Sequence, residues 1–126
     1  MSSPAALLAL ATALALAIPA AAQPPMPTTA FDGTYAGMSA HTSKSSGHER
    51  PCPRWHTPDA LTITNGAVHS GMRDKWTGTV SPQGHVVLRN KQAMRVDARI
   101  DPQGTIAGRY HGPACAVDFV WQKQPQ

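Results

Sequence analysis

A chain of 126 residues, 14% of them charged and 41% hydrophobic, is long enough for one compact domain and hardly for two. Its formal net charge of +4 favours anionic surroundings and bears on association rather than on fold. Its 2 cysteines are too few soft ligands for a thiolate metal site.

Residues 5–18 (AALLALATALALAI) form an apolar stretch of the length of a signal h-region, short of the roughly 20 residues a membrane span needs. Pro19 interrupts it, and Ala20-Ala21-Ala22 supplies the small residues that signal peptidase accepts. The residues before it carry no Lys or Arg, which departs from the usual n-region. The expectation is a signal peptide over 1–22, a mature start at Gln23 and an exported protein, periplasmic or secreted, with no membrane span. No cysteine follows the h-region until Cys52, which argues against a lipid anchor. Residues 23–30 are Pro-rich and read as a spacer ahead of a domain over 31–123.

That domain alternates apolar and polar residues and carries no helical period. FDGTYAG, at 31–37, puts Phe31, Gly33, Tyr35 and Gly37 on one side. A polar, histidine-bearing connection over 38–59 follows, longer than an ordinary hairpin loop. Asn65-Gly66 is the favoured pair for a two-residue hairpin. SPQG at 81–84 and DPQG at 101–104 then repeat the chemistry of a type I turn closed by a glycine bulge.

Folding each segment about its turn tests the pattern, because a buried face must find its apolar residues opposite one another. Ile63 then meets Val68, Leu61 meets Ser70 and Thr62 meets His69. Val80 meets Val86, Gly78 meets Leu88 and Trp76 meets Asn90. Ile100 meets Ile106, Ala98 meets Gly108 and Val96 meets Tyr110, with Asp97 opposite Arg109 on the outer face. CAVDFVW closes the series with Cys115, Val117, Phe119 and Trp121 on one side. About eight strands result, over 31–38, 60–65, 67–73, 75–81, 85–91, 94–101, 105–111 and 115–123. The fold expected is all-β, an antiparallel up-and-down meander forming a barrel or a strongly curled sheet. In an oxidising compartment Cys52 and Cys115 read as one disulfide, worth about 4 kcal/mol.

The series F-D-G-T-Y-x-G, a cysteine in the next loop, L-T-I-T-N-G-A-V, G-T-V-x-P-x-G, I-x-G-R-Y and a terminal C-x-V-x-F resembles a loose group of small exported proteins of Gram-negative bacteria with no assigned activity. The resemblance spans about residues 31–123 and brings no catalytic residue. In architecture the meander resembles avidin-type and lipocalin-type barrels, which implies a small molecule held in the mouth or interior, an implication of shape alone.

His41, His48 and His56 are the candidate metal ligands of the long connection, since imidazole suits zinc and copper. Their spacings match no established motif, and Pro51 and Cys52 break the HExxH pattern that His48-Glu49 begins. A solvated loop with scattered histidines is the preferred account of them, so no metal or other cofactor is assigned. Tyr35, Trp76, Tyr110 and Trp121 project to the inner face beside Gly33, Gly37, Gly78 and Gly108. They are the candidate ligand-binding residues, with core filling as the competing role. On the outer face Arg89, Lys91, Arg95, Arg99 and Arg109 make a basic stripe near His85 and His111, interrupted by Asp97 and Asp101.

No G-x-S-x-G elbow or distinguishable Ser-His-Asp set is present, so no catalytic residue is assigned. The function expected is a binding module for a small molecule or an anionic envelope component. A structural or protein-interaction domain without a pocket comes next, and an enzyme last. The expected compartment argues against nucleic acid as a partner, and the sequence leaves the oligomeric state open.

Overall fold

The computed structural model describes residues 2, 4, 5, 9–15, 28–44 and 51–126. The expected cleavage point after Ala22 and the candidate ligand His48 lie outside the described residues. Eight antiparallel strands form a closed barrel: β1 (Gly33–Lys44), β2 (Leu61–Thr64), β3 (Ala67–Ser70), β4 (Thr77–Val80), β5 (His85–Arg89), β6 (Arg95–Ile100), β7 (Thr105–His111) and β8 (Cys115–Lys123). Each strand pairs with its neighbours in sequence, and β1 returns to β8. Among the described residues no helix is long and apolar enough to cross a membrane.

The two repeated turns are built alike. Gly84 and Gly104 take φ values of +82° and +80°, the left-handed region that favours glycine. Their N–H groups donate to the carbonyls of Ser81 and Asp101 at 2.9 and 3.0 Å. Asp101 Oδ1 also accepts from the N–H groups of Gln103 and Thr105, each at 2.9 Å. Asn65 and Gly66 are both at positive φ, as a type I′ hairpin requires. The pairing follows from the turns: Ile63 faces Val68, Val80 faces Val86 and Ile100 faces Ile106.

The first strand departs from expectation. It runs to Lys44 instead of stopping near residue 38, and so takes in the start of the expected 38–59 connection. Its ladder to β2 covers only Gly33–Tyr35, whereas its ladder to β8 extends from Tyr35 to Lys44. A register shift between Gly37 and Ser39 leaves Met38 exposed and breaks the period of two at that point. MSAHTSK therefore reads as loop although it is strand. The third and fourth strands are correspondingly shorter than expected, because residues 71–76 form a structured connection.

Segment 51–60 takes the place along β1 that the short β2 leaves open. The Cys52–Cys115 disulfide, across 63 positions, ties the segment to the first residue of β8. The Trp55 N–H donates to Thr42 Oγ1 at 3.3 Å. The Pro58 carbonyl approaches Gly37 so closely that a Cβ there would lie 1.7 Å from its oxygen. The segment thereby carries Trp55 over one end of the barrel, against the core.

Side chains fill the barrel interior. Phe119 is the hub: its ring centroid lies 5.6 Å from Trp121, 5.7 Å from Trp76 and 5.9 Å from Trp55. Leu61, Ile63, Val86, Leu88 and Ile106 complete the surrounding layer. Trp121 Nε1 donates to the Asp59 carbonyl at 2.9 Å, which anchors the end of the segment to the core. Tyr35 donates its hydroxyl proton to the Phe31 carbonyl at 2.7 Å. Burial first, and the charge of Asp32 second, hold that phenol above its ordinary pKa range.

Candidate functional site: the basic loop end

The barrel has two unlike ends. One carries the Asn65-Gly66, SPQG and DPQG turns; the other carries segment 51–60 with the β3–β4, β5–β6 and β7–β8 connections. At this second end lies a cavity of about 250 Å³, lined among others by Trp55, His56, Arg73, Lys75, Asn90 and Lys91.

Asp74 organises it. Its carboxylate is 1% exposed, and its Oδ1 accepts from His56 Nε2. The other oxygen, Oδ2, accepts from the Asp59 N–H at 2.7 Å. Asp59 returns the favour through Oδ2, which accepts from the Arg73 and Asp74 N–H groups at 3.0 and 2.9 Å. The two aspartates therefore lock the β3–β4 connection to segment 51–60, with the Asp74 carboxylate buried and Asp59 half-buried. Trp55 stacks on His56 at a centroid distance of 4.9 Å and continues the lock into the core.

Asp74→Asn keeps the shape of this lock and removes its charge. The expected cost is about 2 kcal/mol, the scale of hydrogen bonds to an ionised group. Urea unfolding of the variant measures it, and a loss below about 0.5 kcal/mol, the scale of an ordinary surface substitution, would contradict the role assigned to Asp74.

Cations frame the same end. Lys44 closes β1 and Arg54 lies in the segment. Arg73 and Lys75 sit in the β3–β4 connection, and Arg89, Lys91 and Arg95 stand on or beside the β5–β6 connection. That second connection is held by Asn90, whose Oδ1 accepts from Gln92 N at 3.0 Å and Met94 N at 3.1 Å. Lys75 is held below the ordinary lysine range by its contact with Lys91 first and by desolvation second. Among the described residues Arg73, Lys75 and Lys91 have no carboxylate partner. Met72, 88% exposed, stands next to Arg73 in the same connection.

The outer wall is different. Asp97 faces Arg109 across the β6–β7 ladder as the register requires, but the ion pairs formed are Arg95–Asp97 at 3.2 Å and Arg109–Asp118 at 2.6 Å. Arg109 holds the Asp118 carboxyl below the usual range, chiefly through their hydrogen bond. The expected basic stripe is thus partly neutralised along the wall, while its Lys91 belongs to the loop end. A larger concavity, of about 790 Å³, lies near the SPQG turn and is lined by Ala67, Thr79, Pro82 and Val87 with His85 and Arg99 at its side.

The remaining candidates divide between core and surface. Tyr35 is 1% exposed and Trp76 and Trp121 are 0% exposed, all within the core cluster, and Tyr110 packs against it half-buried. The space at Gly78 and Gly108 is taken by the Val87 carbonyl and the Ala98 side chain. His41 lies exposed on β1 opposite Asp118, and His56 is engaged by Asp74. Among the described residues no group of three His, Cys, Asp or Glu side chains is placed to hold a metal.

Arg73, Asp74, Lys75 and the inward role of Asp59 were not singled out from sequence. One local signal exists: GMRDKW sets a carboxylate between two cations in a connection longer than its neighbours. The partnership of Asp74 with His56, 18 positions away, has no counterpart in spacing. Compared with protein-family models, with curated proteins and with solved structures, the chain matches none.

Proposed function

We propose that the protein is an exported binding module that docks through its basic loop end onto an anionic lipid surface of the cell envelope. The observation that carries this reading is the uncompensated charge there. Arg73, Lys75 and Lys91 lack carboxylate partners among the described residues, while Asp59 and Asp74 beside them accept from backbone N–H groups. Met72 adds an exposed apolar side chain next to those cations, a combination that a headgroup layer accommodates. Each Lys or Arg brought to such a surface contributes about 1 kcal/mol. The filled interior favours a seat at the mouth over one inside the barrel.

Export rests on the apolar 5–18 stretch with its small residues at 20–22, and the disulfide is compatible with it. The likeness to small exported Gram-negative proteins points the same way.

Co-sedimentation tests the docking. The disulfide-intact protein is expected to pellet with phosphatidylglycerol vesicles and not with phosphatidylcholine vesicles. Binding is expected to weaken as salt shortens the screening length, and to weaken again on Met72→Ser. Equal pelleting with both vesicle types, or binding indifferent to salt, contradicts the reading.

A further inference from the structure

The cations of the loop-end cavity are not equivalent. Lys75 has φ of +52°, a conformation that costs a lysine of the order of 1 kcal/mol and that glycine or asparagine adopts more readily. What the lysine adds at this position is its side chain. Lys91 is presented by the connection that Asn90 clamps, and it lines the same cavity as Lys75. Charged ammonium groups are donors only, so two of them at one cavity repel unless an acceptor with negative charge joins them. Trp55, stacked on His56, walls the same cavity.

We infer that this cavity seats a phosphate monoester group, whose dianion bridges Lys75 and Lys91 with Arg73 at the side and Trp55 as the wall. The volume of about 250 Å³ exceeds several-fold the roughly 30 Å³ share of one water, so a phosphoryl group fits with some of its hydration. A monoester carries a charge of about −1.5 to −2 at neutral pH and matches two ammonium groups, where a diester carries one charge. The source of the group is a lipid headgroup, and in that respect the inference rests on the proposed docking.

Titrating inorganic phosphate into the isotope-labelled, disulfide-intact protein, followed by NMR, tests the seat itself. The expected result is saturable shifts confined to residues 73–75, 90–92 and the Trp55 indole. Lys91→Gln and Lys75→Gln are each expected to weaken binding about tenfold or more, and Arg99→Gln, at the other end, to leave it unchanged. Shifts that spread over the whole basic surface without saturating overturn the inference, as does phosphate binding that survives both lysine changes.

Vesicles of matched charge distinguish the source. A preference for phosphatidic acid over phosphatidylglycerol that Lys91→Gln removes supports a headgroup. Equal binding to the two overturns the monoester seat and leaves the docking intact. No binding to either overturns the docking and the headgroup source, while localised binding of phosphate alone upholds the cavity as a seat for the free anion.

Discussion

Replacing Cys52 and Cys115 together with serine is expected to lower the unfolding free energy by about 4 kcal/mol. The bond closes a loop across 63 positions, most of the barrel, so its removal returns a large ensemble of conformations to the unfolded chain. It also releases segment 51–60, which β1 otherwise holds through the Trp55–Thr42 hydrogen bond and the close approach of Pro58 to Gly37. For a domain whose whole stability is of the order of 5–15 kcal/mol, that loss is a large share. Urea unfolding of the double variant beside the native protein measures it, and a loss under about 1 kcal/mol would contradict this account of the bridge.

Phe119→Ala is expected to cost about 4 kcal/mol, within the range found for truncating a buried aromatic side chain. The ring is fully buried and touches three tryptophans, so the cavity left behind is walled by large, stiff side chains with little freedom to collapse into it. One consequence reaches the loop end. Trp55 loses its edge-on partner, and the lock through His56 and Asp74 loses its anchor in the core. Phe119→Leu restores most of the volume and is expected to cost about 1.5 kcal/mol or less. Denaturant unfolding with tryptophan fluorescence reads both; equal costs for the two variants would mean that the ring's volume is not what matters.

The hairpins were legible because their information is local. Asn65-Gly66, SPQG and DPQG state their own backbone conformations, and the alternation beside them fixes register to the residue, as the pairs Ala98–Gly108 and Gly78–Leu88 illustrate. The second half of β1 was hidden by a one-residue register shift, which a period-of-two reading cannot cross. The disulfide was legible from the cysteine count and the expected compartment. The aromatic side chains were placed on the inner face correctly, but whether that face encloses space depends on how the rings and the glycine-adjacent backbone fit together, which is a property of packing.

The loop end was the least legible part. Asp59, Asp74 and His56 belong to different connections, and only closure of the barrel brings them together. Sequence gave Lys91 a place on a basic stripe running along the wall. The structure instead pairs the wall's Arg95 and Arg109 with aspartates and leaves Lys91 with Lys75 at the mouth. Which cations stay uncompensated depends on where the few carboxylates end up, and that information is not local.

The proposed docking requires that the loop end, and not net charge, make the contact with an anionic surface. Two triple variants with the same loss of charge test it most directly: Arg73→Gln with Lys75→Gln and Lys91→Gln, against Arg99→Gln with Arg109→Gln and Lys123→Gln. Pelleting with phosphatidylglycerol vesicles is predicted to be lost in the first and largely kept in the second; equal losses in the two would contradict the claim.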